Sequence, residues 1–439
     1  MRIKRWICIV VLLVLSPPAR AEVEERLDEL ENRMEQVEKS AGSGSGFMAN
    51  SPEWMRRFHL SGNADFSYLY GEENSLADHG RLAVENARLF LDVDLGGEAR
   101  LFDHTVMESA SFYFEWDIFR KAAFQNDVGS LYLRLDSLGG SEAFNLKFGR
   151  FPLPFGEEYV RFHEKRFDNP LISFSTASVY GLDEGILLFG SLRNGLFQYM
   201  FAVTDGDHDI AQNSSSEPAL TAKLVLEPKP WLHLSASAHR TGLLGPTAGT
   251  SFGKSALMFG EFGLYPILKE PLFQNGVPAP KDPSRKLKDI YGFEVDLVLH
   301  DARYGRLWLS YGRVFAEADS TNFYDRDMHY WTAEGVFELG AVCEALDRFY
   351  AALRYSAIGT FDDDKGWRLR VMNNGGNLGY NVDHVQSINV GFGVRLLKNL
   401  IFKAEYSWFD FNLVRGASAA LGGLEDDRDY GGVSFSLEF

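Results

Sequence analysis

The stretch Tyr430–Phe439, YGGVSFSLEF, decides how the chain is read. Val433, Phe435, Leu437 and Phe439 are apolar, and Ser434, Ser436 and Glu438 between them are polar. A period of two puts the two sets on opposite faces of a strand, one greasy and one wet. The strand closes on the aromatic ring of Phe439. A strand with one apolar face buries it either in a protein core or in lipid, and the rest of the chain must distinguish the two.

The beginning of the chain points to export. Arg2, Lys4 and Arg5 precede an apolar run from Trp6 to Leu15, and Ala19-Arg20-Ala21 follows. This is the order of a secretory signal peptide cut after Ala21, so residues 1–21 are expected to be removed. The apolar run is too short to span a bilayer as a helix. Cleavage removes four positive charges and no negative ones, taking the formal charge from −17 to −21. Such an acidic balance disfavours nucleic acid and anionic membrane surfaces as partners. Cys8 leaves with the signal peptide, so Cys343 is the one cysteine of the mature chain and no intramolecular disulfide can form.

Residues 22–40 carry Val23, Leu27, Leu30, Met34 and Val37 at spacings of four and three. That is the a/d seam of a short coiled coil, marginal alone and stable only where several copies are already held together. It hints at a homo-oligomer without giving its number. Residues 41–57, which begin AGSGSG, read as a flexible linker.

From Phe58 to Phe439 the alternation recurs. Phe66 and Tyr68 alternate with Asp65 and Ser67, Phe112, Phe114 and Trp116 with Tyr113, Glu115 and Asp117, and Leu131, Leu133 and Leu135 with Tyr132 and Arg134. Repeated two-faced strands, 14% aromatic residues and 42 glycines after an export signal point to a transmembrane antiparallel β-barrel. Its apolar face lies in lipid and its polar face lines a lumen. Short turns around 137–143, 191–195, 227–230, 300–305, 340–347 and 397–399 alternate with long connections around 71–87, 119–130, 150–180, 205–218, 240–290, 315–328, 357–386 and 410–429. The count gives 16 strands with both barrel termini periplasmic; reading Ala256–Leu264 as strand would give 18. The connection around 96–110 is long for a turn and has no explanation at this level.

A family resemblance rests on two segments. GRFPLPFGEE, Gly149–Glu158, resembles the G-Q-F-x-x-P-F-x-x-E segment of the phosphate-selective porin O and P family, with Gly149, Phe151, Pro154, Phe155 and Glu158 in matching positions. Leu182-Asp183-Glu184-Gly185 is similar to the family's R-D-I-G element, with Leu182 where the family has arginine. The resemblance implies a 16-stranded trimeric outer-membrane porin whose third and fifth external loops fold inward. Strand parity independently makes 150–180 the third external loop and 240–290 the fifth.

The charges set the expected permeant. Arg161, His163, Lys165 and Arg166 are candidates for a constriction formed by the third loop, beside Glu157, Glu158, Glu164 and Asp168. Alternation turns Arg88, Arg134, Lys147, Lys223, Arg354 and Lys403 into the lumen. Asp65, Asp92, Asp94, Glu115, Asp117, Asp136, Glu294, Asp296, Glu334 and Glu405 face them, so the wall is net acidic. A phosphate path needs cations at a narrow point, where low-dielectric walls strengthen each charge. A porin passing anions, one passing cations or sugars, and a structural barrel that anchors the envelope or sheathes a partner therefore all stand open. Asp205, Asp207 and Asp209 alternate like calcium-loop ligands, but no glutamate follows at the required offset, and an acidic external loop is the plainer reading. No cofactor motif and no assembled catalytic grouping is legible, so no enzyme is expected.

Overall fold

The computed structural model describes residues 53–71, 80–101, 104–120, 127–162, 166–176, 179–206, 217–241, 257–259, 287–318, 326–360, 367–373, 376–413 and 427–439. The expected signal peptide, the coiled coil and most of the linker lie outside these residues; Glu53–Arg57 forms a 3-10 turn.

Sixteen antiparallel strands form the barrel. They are β1 (Phe58–Gly71), β2 (Arg81–Gly96), β3 (Ser109–Arg120), β4 (Asp127–Asp136), β5 (Asn145–Pro152), β6 (Val179–Leu192), β7 (Phe197–Thr204) and β8 (Ala219–Lys229). They continue as β9 (Leu232–Arg240), β10 (Leu287–Asp301), β11 (Gly305–Ala318), β12 (Arg326–Glu338), β13 (Phe349–Thr360), β14 (Gly376–Leu397), β15 (Leu400–Leu413) and β16 (Asp427–Glu438). Each pairs with its sequence neighbours, and β16 returns to β1 in a register running from Asn63 opposite Glu438 to Gly71 opposite Tyr430. The count of 16 is as expected. Leu257–Phe259 is a three-residue strand that, among the described residues, pairs with Val179–Gly181 at the start of β6, so it adds no seventeenth stave.

Closure has a physical necessity. Lipid offers no hydrogen-bond partner to an unpaired strand edge, so a sheet in a membrane must leave none. The final seam is completed outside the regular ladder. The Gly62 amide donates to the Phe439 carbonyl at 2.8 Å, and the Phe439 amide donates to the Gly62 carbonyl at 3.0 Å. The Phe439 ring lies where a side chain at 62 would stand: a Cβ there would be 2.5 Å from Phe439 Cζ and 2.6 Å from the Arg88 carbonyl. Glycine is required by this approach.

Burial runs opposite to that of a soluble protein. Along β1, Phe66, Tyr68 and Tyr70 are exposed while Asp65 and Ser67 are buried. Along β15, Trp408 is exposed and Lys403, Glu405 and Ser407 are buried. Outward aromatics gather near both ends of the strands, with Tyr70, Trp116, Trp331 and Trp408 toward the long loops and Trp231, Tyr304 and Phe337 toward the short turns. The polar and charged face is enclosed by the wall, as expected for lipid outside and lumen within.

Two long connections contain sheet of their own. The unexplained stretch 96–110 holds a small hairpin of Ala99–Leu101 paired with His104–Met107. The expected open loop 357–386 includes Trp367–Asn373, which pairs with the first part of β14 and extends the hairpin beyond the barrel wall. Local antiparallel pairing satisfies backbone groups that a bare loop would leave to solvent.

Gly62→Val is expected to overpack the seam and lower the unfolding free energy of the detergent-refolded barrel by about 2 kcal/mol. A fall in the urea midpoint would show it; an unchanged midpoint would mean that the Phe439 ring can swing away at no cost.

Candidate pore constriction

The connection between β5 and β6 does not project outward. It folds into the lumen, and its entry is shaped by the residues of the family-like segment. Gly149 has φ +130°, and a Cβ there would be 2.3 Å from the Leu131 carbonyl, so only glycine lets β5 approach β4 this closely. Phe151, Leu153 and Phe155 are almost completely buried. The Leu153 amide donates to the Gly181 carbonyl at 2.8 Å, extending the ladder for one more bond. Phe151 packs into an inward cluster with Phe90, Tyr113, Tyr132, Leu187 and Ala202. In that cluster the Tyr113 and Tyr132 rings stack at 4.9 Å. Phe155 meets His239 edge to face at 6.4 Å.

At Gly156 (φ +67°) the chain reaches the wall of β8–β10. The Gly156 amide donates to Ser237 Oγ at 3.0 Å, and Lys223 Nζ donates to the Gly156 carbonyl at 2.5 Å. A Cβ on residue 156 would be 2.7 Å from the Glu294 carboxylate, so this contact also depends on glycine. Glu157 completes the anchor, with Oε1 2.7 Å from Lys223 Nζ and 2.8 Å from His233 Nε2, and Oε2 3.3 Å from Arg161 Nη2.

A short helix, α1 (Glu158–Phe162), and a 3-10 turn at Arg166–Asp168 carry the loop toward the opposite wall. There β13–β15 hold it. Glu405 Oε2 accepts the amides of Ile172 at 2.6 Å and Ser173 at 2.9 Å, and its Oε1 accepts the Ser173 hydroxyl. Arg354 donates to the Ser173 carbonyl at 2.9 Å and Asn169 Oδ1 at 3.2 Å, and it forms a fully buried ion pair with Glu334 at 2.5 Å. Tyr350 and Lys403 donate to the carbonyls of Pro170 and Phe167 at 3.0 and 3.2 Å. The Thr176 amide donates to Ser356 Oγ at 2.8 Å. Within the loop, Glu158 accepts from the Ser175 amide at 2.7 Å and hydroxyl at 2.5 Å, tying the outgoing arm to the returning one.

The two loop carboxylates sit in opposite electrostatic settings. Burial works against ionisation of Glu157, but Lys223, His233 and Arg161 outweigh it and hold the carboxyl well below the usual range. Burial dominates at Glu158 and pushes its carboxyl up, against the pull of Arg354 and the Ser175 hydrogen bonds.

The expected lumen cations all lie on the inward face, each beside a partner. Arg88 is 3.2 Å from Glu115 and 3.0 Å from Asp117. Arg134 is 2.8 Å from Asp136, and Lys147 lies 4.2 Å from the centroid of the Tyr132 ring. Lys223, Arg354 and Lys403 are the residues that grip the loop. Of the four constriction candidates, Arg161 is described and is half-buried against Glu157. His163 and Lys165 lie outside the described residues, as does the side chain of Arg166. The expected second inward segment, 240–290, lies mostly outside them too. Asp205 donates its amide to the Glu184 carbonyl at 3.0 Å, while Asp207 and Asp209 are outside the described residues, among which no group of three metal-ligating side chains occurs.

Asp183, in the second family-like segment, is buried and accepts the amides of Glu184 at 2.9 Å and Gly206 at 2.7 Å. It fixes the end of β6 to the chain leaving β7. Sequence reasoning missed a further feature below the loop. A cavity of about 310 Å³ there is lined by Arg161 and Asp168 from the loop and by His300, Asp301, Arg306, Glu338 and Arg395 from the wall. Arg395 pairs with Glu338 through two bonds of 2.7 Å, and Arg306 with Glu334 at 2.5 Å. Arg306 and Arg395 sit at strand ends that look like ordinary turns in the sequence, and no local pattern marks them.

No family model matches the chain, and no curated protein matches it in sequence. Solved structures do. The outer membrane channel DcaP of Acinetobacter baumannii superposes with a TM-score of 0.54 at 13% identity, covering 87% of this chain and 97% of its own. The trimer form of OmpT, an outer membrane protein of Vibrio cholerae, gives 0.51 at 10% identity, covering 87% and 99%. The likeness is one of fold: a closed 16-strand antiparallel barrel of the outer-membrane porin type.

A pH dependence follows from Glu157. Because its folded carboxyl is depressed, its contribution is complete above about pH 4.3, the free glutamate value, and fades as pH falls toward the folded value. Glu158, being raised, has the opposite sign: its contribution is present below about pH 4.3 and is lost as pH rises through its folded value. In urea unfolding, Glu157→Gln is expected to be less stable than wild type at neutral pH and to lose less stability between about pH 5 and about pH 3. Parallel pH profiles would remove Glu157 from the clasp.

Proposed function

We propose that the chain is a passive outer-membrane porin for small hydrophilic solutes, with the inward 150–180 loop as its constriction. The observation that supports this is the double clasp: one loop bonded to β8 and β9 through Gly156 and Glu157 and to β13–β15 through Asn169, Ser173 and Thr176. A barrel that served only as an anchor would have no use for a polar loop tethered at two places inside it. The trimer named for OmpT, the expected coiled coil and the resemblance to phosphate-selective porins all favour a homotrimer surrounded by outer-membrane lipid, with both barrel termini periplasmic. The function is diffusion rather than catalysis.

Weak selectivity fits the wall better than a phosphate ladder, since Arg88, Arg134, Lys223 and Arg354 already face carboxylates. An anion preference has one observation in its favour, the approach of Arg161, Arg306 and Arg395 to a single cavity, balanced by Asp168, Asp301 and Glu338. A cation or sugar porin is the reading the acidic wall would support.

Conductance in planar bilayers under a KCl gradient tests these readings together. A conducting channel with a small reversal potential is expected. Replacing Arg161, Arg306 and Arg395 by glutamate should move the reversal potential toward that of potassium, and phosphate should leave chloride current unblocked. Absence of conductance would overturn the porin reading, and strong phosphate block would restore the ladder.

A further inference from the structure

We infer that His329 and His384 form a divalent transition-metal site on the outer face of the barrel, near its long-loop end, bridging β12 and β14 across the glycine of β13. Met328, Tyr330 and Thr332 are buried and face inward, so His329 and Trp331 face outward. Val385, Ser387 and Asn389 are buried and inward, which turns His384 outward as well. The strand registers then set the three positions level: His329 is opposite Gly359, and Gly359 is opposite His384.

The middle position of this row has no side chain, and the two imidazoles fill its place. A Cβ on Gly359 would be 2.9 Å from His384 Nδ1 and 3.3 Å from His329 Nε2. One nitrogen from each ring thus approaches a common point. Metal–imidazole bonds are about 2.0–2.1 Å, so modest rotation of either ring brings both nitrogens to bonding distance of one ion there. Imidazole suits zinc, copper and nickel, whereas calcium and magnesium take oxygen ligands. The neighbouring cation is already engaged: Arg313, opposite His329 in the register, is paired through two hydrogen bonds with Asp327. That pairing reduces its repulsion of a bound ion. The chain supplies two ligands, and the other coordination positions are left for water. A bound ion would join alternate strands at the rim, and a ligand that binds only the folded state raises its stability by mass action.

Trp331 provides the readout, with its ring centroid 5.8 Å from that of His329. Untagged, detergent-refolded protein is titrated with Cu²⁺, a contact quencher of indole fluorescence, and separately melted with and without Zn²⁺. Saturable quenching is expected that Trp331→Phe removes, together with a higher melting temperature in Zn²⁺. His329→Gln, His384→Gln and Gly359→Ala should each weaken Cu²⁺ binding by about tenfold or more and abolish the Zn²⁺ shift. Gly359→Ala keeps both imidazoles and only occupies the space between them. Quenching insensitive to either histidine variant would overturn the site, and so would quenching lost in one histidine variant but retained in the other. Should the Ala variant fail to refold, the two histidine variants decide the matter alone.

Discussion

Every inward side chain of this barrel shares one enclosed volume, and that constraint organises the structure. Strand alternation leaves no choice of face: whatever does not meet lipid must meet the lumen. Charges pressed between neighbouring strands or against the inward loop lose bulk water and are tolerated only when paired or hydrogen-bonded. Arg88 between Glu115 and Asp117, and Arg354 against Glu334, satisfy that demand within the wall. Glu405 and Lys223 satisfy it with backbone groups of the inward loop.

The loop and the wall therefore stabilise each other. At the buried contact between loop and wall, the backbone amides of residues 172 and 173 would be unsatisfied without Glu405, and Glu405 would be a buried anion without them. The two anchors differ in kind. The Gly156–Glu157 anchor depends on the absence of a side chain and on an ion pair with Lys223, whereas the Asn169–Thr176 anchor is a network of hydrogen bonds around Arg354 and Glu405. The first is the more sensitive to protonation of a loop residue, because the Glu157 carboxylate sits between Lys223, Arg161 and His233.

Gly149–Glu158 and Leu182–Gly185 have a structural part in the barrel. Gly149 lets β5 lie close against β4, Phe151 and Phe155 are buried where the chain leaves the wall, and Glu158 ties the two arms of the inward loop. Asp183 holds the neighbouring connection through Gly206. Gly149, Phe151, Phe155 and Glu158 shape the inward loop, and none of them or Asp183 is a cation.

The alternation in segments such as Tyr430–Phe439, and the spacing of turns between them, determined by themselves the barrel class and the inward direction of Lys223, Arg354 and Lys403, and they narrowed the count to sixteen or eighteen; the pairing of Leu257–Phe259 with β6 decided for sixteen. A period of two is a local property, and each strand states its own two faces. The hairpins at Ala99–Met107 and Trp367–Asn373 escaped because short or loop-borne strands lack enough residues to show that period. Pairing across the barrel was decided only in three dimensions. Glu405 meets Ser173, and Arg306 and Arg395 meet a cavity beneath Arg161, across sequence separations that carry no local signal. Alternation tells which way a side chain points; only closure of the sheet decides what stands opposite it.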